Sequence, residues 1–360
     1  MRYRLFIEVI ASLLLTISAA LVKPPTAAAT TDRPDRARGG SDAATSQARA
    51  DKVPAGWRRE WPRTDFSKAK VPFYEILSGG PPKDGIRAID RPRFDPVTHP
   101  ALRLSDDAPV IAFVHAGVAR AYPLAILARH EIVNDRIAHT PVAITYCPLC
   151  NAAIVFVRRL PDGQETTFGT TGKLRNSDLV MYDRSTESWW QQFTGRGIVG
   201  RWAGARLERL SARIESFGRF RTEHPDGSVL SPPATGFDYS RAPYAGYDRG
   251  ERPWFSVRRL PREVPPMSLV VAVGDRAWSL ALLRRKGRIE TKDGIVLEWR
   301  PGARSIFAAL DGSDEADIWG DVQVRRKDTD GEWHDIPFGL DFAFAFASFH
   351  PRSRIVTQVE

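Results

Sequence analysis

The chain has 360 residues, 42% of them hydrophobic and 10% aromatic, ample to bury the core of one large domain or two smaller ones. Its formal net charge is +9, but the basic residues are interleaved with acids rather than gathered into a stripe, which excludes a nucleic-acid surface built on clustered cations. With only two cysteines, a cysteine-rich zinc site is excluded as well.

In chain order, Arg2 and Arg4 precede an apolar stretch that includes residues 10–15, and Ala27, Ala28 and Ala29 offer a small-residue cleavage point. Residues 1–29 are therefore expected to be a signal peptide. That run is short for a membrane span, and no later segment approaches the length of one. The mature protein is expected to be secreted or periplasmic, with no span after cleavage. Residues 30–56 are rich in Ala, Arg, Asp, Ser and Gly without apolar periodicity, and read as a disordered spacer.

Residues 79–85 read as loop, and the pattern becomes β-like from Val110. Residues 110–114 predict a strand, 115–118 a hairpin turn and 119–122 its return; 123–130 predict a short helix with proline in its first turn. Residues 141–146 predict a strand ending at Cys147, and 152–157 another, so Cys147 and Cys150 fall in a turn between strands. The segment 121–127 is echoed at 277–283, each copy preceded by a valine-rich strand and a glycine turn and followed by an apolar strand. Near the end, Phe and small residues alternate at period two over 342–349, the pattern of a strand with one aromatic face. The expected fold is β-rich α+β, with two related β-hairpin-helix-strand sub-units in one compact unit. The half 57–260 carries the C-x-x-C and Arg-Asn-Ser-Asp motifs. The half 261–360 carries a degenerate repeat and the C-terminal strand.

Several motifs stand out in order: Thr-Tyr-Cys-Pro-Leu-Cys at 145–150, His-Glu-Ile-Val-Asn-Asp at 130–135 and Leu-Arg-Asn-Ser-Asp-Leu-Val-Met-Tyr-Asp at 174–183. With residues 79–86 and the closing Phe-x-Phe-Ala-x-Ala-Ser-Phe-His, the chain resembles the bacterial family called domain of unknown function 3179, from about Gly79 to the end. The resemblance implies no established reaction.

The chemistry is therefore read from the residues. After Cys150 the pattern is strand, so the thiol activation supplied by a helix N-terminus in thioredoxin-type motifs is missing. Two soft thiolates in a turn suit copper, and a histidine can complete a copper or zinc site; His130, beside Glu131, is the candidate third ligand, with His115 and His139 flanking. The alternatives are a structural disulfide in a ligand-binding or interaction module, and an extracytoplasmic thiol oxidoreductase. Glu131, Asn134, Asp135 and Arg175 are the polar candidates for catalysis. Arg175, Asn176, Ser177 and Asp178 are the candidates for holding a small ligand, with Arg175 otherwise pairing with Asp178 or Asp183. Of the adjacent Trp189 and Trp190, one is expected in the core and the other in a pocket or at the surface. The chain has no G-x-S-x-G elbow, no phosphate-binding G-x-x-x-x-G-K-[ST] loop and no H-E-x-x-H helix.

Overall fold

Alternating apolar residues from 110 to 157 build two hairpins on either side of a short helix. Strands Pro109–His115 and Val118–Pro123 pair antiparallel, helix Leu124–His130 follows, and strands Ile132–Ile137, Thr140–Cys147 and Ala152–Val157 form a meander. Pro123 stands at the helix N-cap, and the helix stops where Glu131 takes φ = 58°. The computed structural model describes residues 52–240, 243–308 and 317–358, all within one compact unit, Ala48–Glu360. The expected signal peptide and residues 30–51 of the expected spacer lie outside them. A short helix, Ala55–Glu60, occupies the stretch where the spacer was expected to end. Among the described residues no helix is long and apolar enough to cross a membrane.

The expected pair of hairpin-helix-strand sub-units is overturned. The chain is 37% strand and 14% helix, with five small sheets arranged like the blades of a five-bladed β-propeller. Each described α-helix has only six or seven residues, too short to form a layer of its own. What recurs is smaller, a strand running directly into a seven-residue helix. It appears at Val118–Pro123, Arg213–Ser216, Arg276–Ser279 and Gly339–Phe342. The echo heard in the sequence is two of these four junctions, and it belongs to individual sheets rather than to halves of the molecule.

Two sheets position the site. One holds Ile132–Ile137, Thr140–Cys147, Ala152–Val157 and Arg209–Leu210; the other holds Ile76–Ser78, Phe168–Arg175, Asp178–Asp183, Trp189–Gln191 and Arg196–Val199. Both are covered on both faces. Trp189 is therefore buried among Trp57, Trp61 and Phe66, while Trp190 is buried on the opposite face against Phe168. Neither reaches a pocket or the surface as expected.

The segment read as a C-terminal strand is the helix Ala343–Phe349. Residues two apart on a helix point to opposite sides, and both sides here are core. Phe344 enters the main apolar cluster, and Phe346 a second one with Val270 and Ala277. A helix buried all round loses its 3.6-residue signature, and the Phe/Ala alternation imitates a strand.

Candidate functional site

Cys147 ends the Thr140–Cys147 strand and is paired with Ala152, so residues 148–151 close a tight turn that contains Cys150. The turn is fixed from within and from outside. The Cys150 amide donates to the Cys147 carbonyl at 3.1 Å, and the Phe342 amide to the Cys150 carbonyl at 2.9 Å. Asn151 sits at φ = 52°; its Nδ2 donates to the Leu340 carbonyl and its Oδ1 accepts from the Tyr146 hydroxyl, each at 2.8 Å.

A second hairpin meets this turn. Arg175 pairs with Asp178, leaving Asn176 and Ser177 as a two-residue loop with φ of 53° and 61°. Positive φ at both central residues matches the strand twist of a type I′ turn, but the left-handed region is costly for serine. The loop delivers two groups to the cysteines. The Ser177 carbonyl lies 3.4 Å from Cys150 Sγ and 3.9 Å from Cys147 Sγ. The Asp178 carboxyl shares a space with both sulfurs, and one donor atom from each of the three residues lies within 4.8 Å of the others.

Asp178 Oδ2 accepts from Gln191 Nε2 at 2.6 Å and from the Phe193 amide at 2.9 Å. Its Oδ1 accepts no well-formed hydrogen bond, although the thiols beside it ease its ionisation. Both cysteines are free thiols and fully buried. Burial pushes the Cys147 thiol up, helped by the charges of Asp178 and Glu131; burial and the neighbouring Cys147 push Cys150 further. Burial also raises Asp178 to about 7 and Glu131 to about 8, the latter with help from Asp178. Five acidic groups lie near one another, because Asp341, on the strand beside the turn, is likewise raised by burial to about 7. Anionic sulfur and oxygen are unstable there without a cation, and the three convergent donors could hold a metal ion.

The remaining expected residues divide between site and scaffold. His130, expected as third ligand, is engaged elsewhere. Its Nδ1 is 2.7 Å from the Arg87 carbonyl and its Nε2 2.7 Å from the Tyr239 hydroxyl, and Asp178 rather than His130 meets the sulfurs. His115 Nε2 lies 2.8 Å from Thr140 Oγ1. Asn134 is a joint between sheets. Its Nδ2 donates to Asp90 and to the Phe168 carbonyl, and its Oδ1 accepts the Phe168 amide. Asp135 accepts from Arg120 and from the Tyr122 hydroxyl. Arg175 forms an ion pair with Glu75 at 2.7 Å rather than with Asp178 or Asp183, and Asn176 Oδ1 accepts the Arg258 amide. Glu131 lines a cavity that Leu149 of the cysteine turn lines as well. Asp178 as a sulfur partner had no signal in the sequence beyond its place in a polar loop.

Searches of curated proteins and of solved structures found no match. Residues 83–353 match a family described as a protein of unknown function, DUF3179, a span that takes in both hairpins of the site. The chain belongs to the DUF3179 family.

Proposed function

We propose that this is an exported metal-binding protein whose centre is Cys147, Cys150 and Asp178. One observation carries the reading: two buried thiols and the buried Asp178 carboxyl each place a donor atom within 4.8 Å of the other two. Sulfur ligands sit about 2.3 Å from zinc, so donors on opposite sides of one ion are separated by roughly the span observed. Two thiolates with a carboxylate suit zinc(II), while the thiolate pair alone suits copper(I). Bound there, such an ion would supply positive charge at the two sulfurs and the Asp178 carboxyl, and act as a Lewis acid. The raised thiols work against the oxidoreductase alternative, since a poised nucleophile needs a lowered pKa. Export rests on the leader expected at residues 1–29.

The test is metal analysis of the full chain after loading with zinc(II) or with copper(I) under reductant. About one ion per chain is expected. It should be lost in Cys147→Ser and weakened in Asp178→Asn, with His130→Ala unaffected. Metal-free protein whose two cysteines resist thiol reagents until reduced would replace this reading with a structural disulfide.

A further inference from the structure

A cavity of about 180 Å³ lies against the cysteine turn. Its walls are mostly apolar and include Leu149, Leu174 and Leu179, with Tyr244 and Trp254 on one side. The single acidic side chain on this wall is Glu131. That residue is 7% exposed, and no hydrogen bond among the described residues accounts for its carboxyl; burial and the charge of Asp178 are what act on it. Its backbone has φ = 58°, a strained conformation for glutamate that the end of helix Leu124–His130 imposes.

Among the described residues, no ion pair joins a cation to this carboxyl. Lys173 also borders the cavity, but its ammonium is 3.0 Å from Glu60 and within 5.3–5.5 Å of the ring centroids of Trp57, Trp61 and Trp189. Arg129 lies over Phe237, 5.3 Å from its ring centroid. Trp254 is 62% exposed, the largest exposure among the exposed large hydrophobic residues, and packs 4.7 Å from Tyr247 and 6.1 Å from Tyr244, ring centroid to centroid. An aromatic wall at the mouth, an apolar body and an unsatisfied acid inside form a recognition pattern for a cation with an apolar body.

We propose that this cavity binds a small primary amine with a compact apolar or aromatic body, its ammonium on the Glu131 carboxylate and its body between Leu149, Leu174 and the Trp254 ring. Burial keeps Glu131 protonated up to about pH 8, so the charged pair forms fully above that pH, where an anion would meet like charge and a neutral molecule would leave the carboxylate unpaired. The proposal does not require a metal at the cysteines, because Leu149 and Leu179 are the residues that the cavity presents on that side.

Benzylamine is the probe, titrated calorimetrically into the full chain at about pH 8.5, where Glu131 is ionised and the amine still largely protonated, with benzyl alcohol as its neutral counterpart. Benzylamine is expected to bind at least about tenfold more tightly than the alcohol, the worth of one charge-assisted hydrogen bond. Glu131→Gln should remove that preference, and Trp254→Ala, at an exposed position, should weaken benzylamine several-fold, with folding of the variant checked by its denaturation midpoint. Equal affinity for amine and alcohol, an unchanged affinity in Glu131→Gln, or no binding of benzylamine up to about 10 mM would each overturn the proposal.

Discussion

The backbone oxygen of Ser177 lies 3.4 Å from the sulfur of Cys150, delivered by the tip of a hairpin that belongs to another sheet. The contact depends on backbone path and not on the serine hydroxyl. Glycine at 177 adopts φ = 61° without strain, so Ser177→Gly should raise stability by up to about 1 kcal/mol and leave metal stoichiometry intact. A β-branched residue resists that conformation. Ser177→Val should cost about 1–2 kcal/mol and weaken metal binding, read by urea denaturation and by metal analysis on the same preparations. Equal stability of the two variants would contradict the strained turn.

Asn151 separates conformational strain from hydrogen bonding in the cysteine turn. Alanine there keeps an unfavourable φ of 52° and abandons both the Leu340 carbonyl and the Tyr146 hydroxyl in a fully buried setting. Asn151→Ala should lose about 3–5 kcal/mol. Asn151→Gly removes the strain and not the lost bonds, so it should recover about 1 kcal/mol of that loss. Chemical denaturation midpoints measure both, and an alanine variant within 1 kcal/mol of the parent would dismiss the clamp.

Asn134 was a plausible catalytic residue from its place beside His-Glu, and its surroundings assign it to the scaffold instead. It ties the start of strand Phe168–Arg175 to strand Ile132–Ile137 through both the amide and the carbonyl of Phe168. Asn134→Ala should cost about 3–4 kcal/mol in denaturant, while metal content per folded chain is retained. Loss of metal without loss of stability would return Asn134 to the site.

The hairpins over 109–123 and 140–157 and the helix 124–130 were legible because each is decided by neighbours in sequence: alternation, a glycine turn, a proline at the helix start. So was the placement of Cys147 and Cys150 in a turn. The partners of those residues were not legible, because they are set by pairing between sheets. Asp178 reaches the sulfurs from a hairpin about thirty residues on, and Arg175 finds Glu75 from 100 residues away. His130 looked like a ligand by sequence proximity, but its place at the end of helix Leu124–His130 carries its ring to Arg87 and Tyr239. The Phe/Ala segment misled for a different reason: periodicity reports which face is wet, and a helix enclosed by core has no wet face.

Glu131 makes stability depend on pH in a direction that can be worked out. Its folded pKa is about 8 against an ordinary 4.5, raised first by burial and then by Asp178. Between those values the folded chain holds a proton that the unfolded chain has released. Unfolding therefore releases a proton, and stability must fall as pH rises through this window and level off above about 8. The total effect is on the order of 3–5 kcal/mol for a carboxyl so enclosed. Asp341, raised to about 7, adds a slope of the same sign, so removing Glu131 alone does not flatten the profile. Glu131→Gln keeps the shape and discards the titration. The variant and parent should have similar stability near about pH 5 and diverge to several kcal/mol in favour of the variant near about pH 8.5. Urea denaturation at both values decides it: a difference between the two proteins that does not change with pH would mean that Glu131 is already ionised in the folded chain.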